Sequence, residues 1–199
     1  MRSLATARLT IRRFVQADLD DVVRLLDDCF GRAPRASRVD WLEWTVRNYD
    51  ALAALRQPPY GDYAVTLSAA GELIGSVGIV PSFGPFDCLL TFCARSTSRP
   101  TTFFRPELGL FWAIAPDHRG QGYATEAAAA LARFAFAELG AERLVATTEH
   151  DNPASIAVMR RIGMAVERNP DPEPEWFQTV GVLFNPAATT PPHPSPEPS

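Results

Sequence analysis

The spacing of apolar residues changes period several times along the chain, and each change marks an element. Leu9, Ile11 and Phe14 fit a first strand in LTIRRF. The period then lengthens, and Leu19, Val22, Val23, Leu25, Leu26 and Phe30 share one side of a helix through LDDVVRLLDDCF, with Asp18 as its N-cap and Gly31 and Pro34 as its stop. A second helix is predicted from about Arg38 to Leu55, with Trp41, Leu42, Trp44, Val46 and Tyr49 serving as core or as the wall of a pocket. YAVTLS and LIGSVGIV are β-rich runs separated by a turn at Gly71, which predicts a hairpin. The pattern weakens from Pro81 to Pro106. There CLLTFCA reads as a strand, and RSTSRPTTFFRP as a Pro-broken loop that offers Phe103 and Phe104 to a substrate pocket.

The second half is more regular. An apolar run from about Leu108 to Ile114 predicts a strand, and the alanine-rich stretch from about Gly122 to Leu139 a helix with Gly140 at C′. RLVATTE, Arg143 to Glu149, is the next strand. Asp151 or Asn152 then caps a short helix over ASIAVMRRIG that ends at Gly163. MAVERN and WFQTVGVLF close the pattern as a strand pair around PDPEPE. The predicted order is β-α-α-β-β-(β)-β-α-β-α-β-β: an α/β protein with a mixed sheet, since hairpins require antiparallel neighbours and crossover helices parallel ones. Residues 1–185 are expected to form one domain, and 186–199, rich in proline with little to bury, a disordered tail.

Composition narrows the classes. Of 199 residues, 46% are hydrophobic and 21% charged, as in an ordinary globular protein, and the net charge of −4 argues against nucleic acid as a partner. The 19 basic residues are all arginine, so the protein cannot modify itself on a lysine. Cys29, Cys88 and Cys93 lack metal-ligand spacing and read as reduced thiols, with no metal expected. MRSLATARLTIRRF has no apolar signal region and no run is long enough for a membrane span, so a cytoplasmic protein is expected, as monomer or homodimer, without membrane partners.

The chemistry concentrates in ELGLFWAIAPDHRGQGYATEAAAALARFAFAEL, from Glu107 to Leu139. A strand that feeds through a glycine turn into a helix N-terminus presents unpaired N–H groups and the positive end of the helix dipole, which suits a phosphate. Gly120-Gln121-Gly122 lacks the third glycine of a dinucleotide fingerprint, and the absence of lysine excludes a P-loop. The run Pro116-Asp117-His118-Arg119-Gly120-Gln121-Gly122-Tyr123-Ala124-Thr125-Glu126 resembles the acetyl-CoA-binding motif of the GNAT superfamily of N-acetyltransferases, Arg/Gln-x-x-Gly-x-Gly/Ala, with Arg119, Gly122 and Ala124 in its defined positions. Asn152, Ser155 and Gly163-Met164 downstream, and the hairpin from Gly71 to Gly78, resemble the subgroup containing ribosomal-protein alanine N-acetyltransferases. The resemblance covers about residues 8–184 and is specific over 107–164.

It implies a GNAT fold whose sheet splays between the strands at about 108–114 and 143–149. It implies acetyl-CoA as co-substrate, with the pyrophosphate on the backbone of Arg119, Gly120, Gln121, Gly122, Tyr123, Ala124 and Thr125. The pantetheine would lie along Trp112, Ala113 and Ile114, with Asn152 bonding it or the adjacent loop. A primary amine, either a protein α-amino group or a small molecule, would attack directly in a ternary complex, with a backbone N–H serving the carbonyl oxygen. Glu107 is the expected base, although the subgroup's glutamate position is held here by Gly109, about 6.6 Å away along the strand. His118 and His150 are its rivals by residue type. Met159 occupies the place where many members carry an acidic tyrosine, so Ser155 is the expected proton donor. Three other readings stand beside this one: a non-catalytic acetyl-CoA sensor, an enzyme for another donor such as succinyl-CoA, for which Arg95, Arg99 and Arg105 would supply cations, and an acceptor-presenting structural protein without CoA affinity.

Overall fold

Among the described residues eight strands share one sheet, with helices on both faces. The computed structural model describes residues 1, 3–93, 101, 103–171 and 173–187. The tail from residue 188, together with Arg95 and Arg99, lies outside the described residues.

The first half is an antiparallel meander. β1 (Leu4–Ala5), which the pattern did not announce, pairs with β2 (Leu9–Arg12), and β2 pairs with β3 (Gly61–Leu67). Between them run α1 (Leu19–Phe30) and α2 (Arg35–Ala54). β3 pairs with β4 (Leu73–Gly84) through a register shift at Val65/Thr66, and β4 continues past Pro81 to meet β5 (Arg105–Ile114) along ten residue pairs. The sheet then turns mixed. α4 (Tyr123–Glu138) crosses over to β6 (Arg143–Thr148), parallel to β5. α5 (Pro153–Arg161) leads to β7 (Ala165–Arg168), and β8 (Thr179–Phe184) inserts antiparallel between β6 and β7.

Two expectations change here. CLLTFCA is not a strand: a 3-10 turn at Phe86–Cys88 and a four-residue α3 (Leu90–Cys93) take its place. The reason is spacing, since Phe86, Leu89 and Phe92 recur every third residue and are all buried, in a cluster with Phe177, Val145, Val180 and Val182. Trp176 and Phe177 likewise lie in a 3-10 turn, Glu175–Phe177, ahead of β8.

The main core lies between the sheet and α4. Ala127, Ala130, Leu131 and Ala135 are buried against Leu9, Ile11, Val65, Ile79 and Leu144. Alanine suits this position because it favours the helix and keeps its surface close to the strands. On the other face α1 and α2 bury Val22, Leu25, Leu26 and Leu42 against Phe14, Ala64 and Leu73.

The parallel pair at the centre is barely a pair. β5 and β6 meet at one bridge, Gly109 to Val145. Two residues before that bridge on each strand, Glu107 and Arg143 form a two-pronged ion pair: Arg143 Nε donates to Glu107 Oε2 at 2.9 Å, and Nη2 donates to Oε1. The Glu107 side chain is only 7% exposed, and the Arg143 guanidinium also lies over the Phe92 ring, 4.7 Å from its centroid. This pair fastens the lower end of the strands, and above it they part.

Removing one partner leaves a buried charge, which costs about 3–5 kcal/mol, whereas replacing both with apolar groups is close to neutral. Arg143→Met should therefore lower the melting temperature by on the order of 10 °C. The double variant Glu107→Leu/Arg143→Met should recover most of that loss in the same thermal denaturation measurement.

Candidate functional site

Where β5 and β6 part, a cleft of about 610 Å³ opens. The end of β5 lines it with Trp112, Ala113 and Ile114, the following turn with His118, Arg119, Gly120 and Gly122, and the first turn of α4 with Tyr123, Ala124 and Thr125. Asn152 and Ser155 of the α5 N-terminus form the opposite wall. Of the residues expected to hold a ligand, Gln121 is the one absent from this lining. Its carbonyl accepts instead from Arg8 Nη1 at 3.0 Å, and its side chain is 3.4 Å from the Asp117 carbonyl.

The turn is shaped by its own sequence. Gly120 and Gly122 take φ of +75° and +83°, a region that suits glycine, and a Cβ on Gly120 would have no atom within 4 Å. Gly122 is the N-cap of α4, and no side chain caps that end. The first-turn N–H groups and the helix dipole thus face the cleft, a ready site for an anion. Thr125 Oγ1 is buried there without a hydrogen-bond partner. Arg119 serves the architecture: its Nε donates to the Ile114 carbonyl at 2.9 Å, which ties the turn back to β5.

A second arginine, which sequence reasoning missed, clasps the turn from the first hairpin. Arg8 donates through Nε to Glu126 Oε2 at 2.7 Å and lies over the Tyr123 ring at 4.5 Å. Its Nη2 is 3.5 Å from where a Gly122 Cβ would sit. Thr6 Oγ1 and the Arg8 backbone N–H also donate to Glu126 Oε1, at 2.6 and 2.9 Å. Burial by itself would raise the Glu126 pKa, but these hydrogen bonds and the Arg8 charge outweigh it and hold the carboxyl below its ordinary value. The separation of 118 residues between Arg8 and Glu126 hides this contact from any local pattern.

The catalytic expectations fare differently. Ser155 lines the cleft, and its backbone N–H donates to Asn152 Oδ1 at 3.1 Å, so Asn152 is the N-cap of α5. Glu107 does not line the cleft. It borders a separate shallow depression with Pro58, Tyr60 and Arg143, and its carboxylate is engaged by Arg143. His118 lines the cleft with Nε2 3.2 Å from Glu72 Oε1, while His150 is turned to Thr179, with Nδ1 2.9 Å from Oγ1. Met159 is fully buried in the main core, where it packs with Met164 against Gly181. Arg105 pairs with Asp87 at 2.9 Å, and Phe103 and Phe104 are exposed. Cys29 and Phe30 of α1 and Pro153, Ala154, Ala157, Val158 and Arg161 of α5 complete the cleft lining, and nothing in the sequence pointed to them as cleft residues.

Among the described residues, no group of three or more His, Cys, Asp or Glu could hold a metal ion, and no helix is long and apolar enough to cross a membrane.

Comparison with known proteins agrees with this geometry. The family model for the Acetyltransferase (GNAT) domain matches residues 8–165. An acetyltransferase structure from Agrobacterium tumefaciens str. C58 is 26% identical, with 92% of this chain and 95% of that one covered and a TM-score of 0.62. The ribosomal-protein-S5-alanine acetyltransferase of Vibrio fischeri shares the fold, with 12% identity, coverage of 94% and 98%, and a TM-score of 0.64. The ribosomal L7/L12 α-N-protein acetyltransferase RimL in complex with coenzyme A does too, with 13% identity, coverage of 92% and 98%, and a TM-score of 0.61. An N-acetyltransferase of Bacillus subtilis, YnaD, is 39% identical over 56 residues, which span 28% of this chain and 33% of that relative. The family model spans most of the domain and the folds superpose over nearly the whole chain: the chain belongs to the GNAT acetyltransferase family and is an acetyltransferase.

Proposed function

We propose that the cleft binds acetyl-CoA and that the protein acetylates a primary amine, either a protein α-amino group or a small molecule, by direct attack in a ternary complex. The observation that carries this reading is the junction itself: an uncapped helix N-terminus behind two left-handed glycines, set where β5 loses its partner. The residues present fit the cofactor. The N–H groups of Tyr123, Ala124 and Thr125 face an anion site, Gly120 leaves open space where a Cβ would stand, and the unpartnered Thr125 hydroxyl awaits an acceptor or donor.

When bound, acetyl-CoA supplies the activated acetyl thioester. The chain holds the phosphates at the turn and directs the arm along Trp112 and Ala113 into the gap between β5 and β6. The Ile114 carbonyl is already taken by Arg119, so the strand's remaining polar groups serve the arm. Arg8 braces the turn and adds positive charge beside it. A backbone N–H at the gap polarises the thioester carbonyl, and Ser155 together with the α5 N-terminus favours the departing thiolate. Orientation supplies the largest share of the rate, about 7–11 kcal/mol in favourable cases. Glu107 acts in this scheme by holding the strands at the correct splay, not as a base.

The decisive measurement is thiol release from acetyl-CoA against a panel of N-terminal peptides, polyamines and aminoglycosides. Release with at least one amine is expected. Tight CoA binding without release on any amine would favour the sensor reading. Gly122→Val places a β-branched residue at φ +83° and should weaken CoA binding at least ~100-fold, about 2.7 kcal/mol, while the protein still melts cooperatively. Undiminished affinity would sink the phosphate assignment. Arg8→Met should weaken CoA about tenfold in the same calorimetric titration, since it removes both the brace and a partly exposed charge near the phosphates.

A further inference from the structure

With Glu107 engaged by Arg143, the acceptor side of the cleft still lacks a group to receive the amine, and the partly buried carboxylates that no arginine holds are the candidates. Of these Glu149 accepts from Thr148 and Glu167 from Thr91 and the Leu90 N–H, both away from α1 and α2. Asp18, Asp27, Asp87, Glu107 and Glu126 are each held by an arginine: Arg12, Arg38, Arg105, Arg143 and Arg8 respectively. Asp62 on β3 is half-buried and has a hydroxyl beside it instead, Ser76 Oγ donating to Oδ1 at 3.3 Å. A carboxylate withdrawn from water without a cation is costly, and a ligand cation would relieve that cost.

Register places it well. Asp62, Gly78 and Phe111 stand opposite one another across β3, β4 and β5, on the face covered by α1 and α2. A Cβ on Gly78 would lie 3.4 Å from Asp62 Oδ1, so the carboxyl overhangs the glycine and is turned towards β5, about one strand spacing (~4.8 Å) from the Phe111 position. Phe111 directly precedes Trp112 of the cleft and stacks on Phe30, also of the cleft, with ring centroids 6.2 Å apart. Asp62 and Phe111 stand outside the cleft lining, and the Phe111–Phe30 ring pair is what joins the carboxyl's side of the sheet to it.

We propose that Asp62 receives the acceptor as an ammonium ion and takes its first proton; the proposal rests on the transferase reading given above. The ammonium passes one proton to an Asp62 carboxylate oxygen, and the carboxyl later returns it to solvent. The freed nitrogen lone pair forms the C–N bond at the thioester carbon, and the C–S bond breaks with its electron pair on sulfur. The thiolate takes the second nitrogen proton, which leaves an amide and free CoA thiol. Burial raises the Asp62 pKa above its ordinary value, against the opposing hydrogen bond from Ser76, which brings the group closer to the pH at which a base works well. The titratable neighbours are the phenol of Tyr49 on α2, which donates to the Asp62 backbone carbonyl, and that of Tyr63, which follows Asp62 on β3 and points to the opposite face. Burial pushes both up, Tyr63 to about 12, so both stay neutral through the working range. Arg13 lies over the Tyr49 ring and pairs with Asp50.

The test is steady-state kinetics from pH 5.5 to 9 with acetyl-CoA and whichever amine of the panel the native protein uses, alongside calorimetric CoA affinity. Asp62→Asn should lower kcat/KM for the amine about 100-fold or more, with CoA affinity within twofold of the native value. Ser76→Ala removes the hydrogen bond that lowers the Asp62 pKa, so it should keep the plateau rate and move the acid limb of the profile to higher pH. A merely structural Asp62 would not produce that displacement. Asp62→Asn retaining kcat/KM within threefold, or a Ser76→Ala profile superimposed on the native one, overturns the proposal alone. A native protein that releases thiol with no amine overturns it together with the transferase reading.

Discussion

The molecule depends on how two neighbouring parallel strands are held together at one end only. A full β5–β6 ladder would leave no room for a ligand, and no ladder would leave the sheet in two pieces. One bridge at Gly109–Val145 and one ion pair at Glu107–Arg143 give the intermediate result, a wedge closed below and open above. Both polar partners are substantially withdrawn from water, so the pair behaves as an anchor whose geometry matters more than its net energy. The cleft lies at the open end of that wedge.

The legibility of this arrangement in the sequence followed distance along the chain. The turn from Pro116 to Thr125 could be read because its determinants are local: two glycines at positive φ, a strand before them and an alanine-rich helix after. The same holds for Asn152, whose cap contact is three residues away. Glu107 was visible as a carboxylate at a strand end, but its partner lies 36 residues on, and a strand pattern does not say which residue stands across a sheet. Arg8 and Asp62 were hidden for the same reason, each defined by register or by a contact with a distant element. The run CLLTFCA misled through composition, since β-favouring residues at every third position pack as a turn and short helix. Met159 shows the limit of position-by-position carry-over: the place of a chemical residue in the family is here part of the core.

Arginine as the only long basic side chain leaves its mark on the packing. The planar fork suits two-point contact with carboxylates, seen at Arg12–Asp18 as well as Arg143–Glu107. Each such pair occupies an acid that could otherwise have served catalysis. What remains for chemistry is set as much by which carboxylates the arginines leave alone as by which residues line the cleft.

The Arg8 clasp has a consequence for how the protein comes into being. Thr6 and Arg8 precede their partners, Gln121 and Glu126, by more than a hundred positions. Closing so long a loop is slow compared with forming α4 or the β3–β4 hairpin. The braced form of the turn can therefore exist only after the first hairpin has found α4 across the sheet. A chain arrested before that contact would carry the whole local motif and still lack its brace.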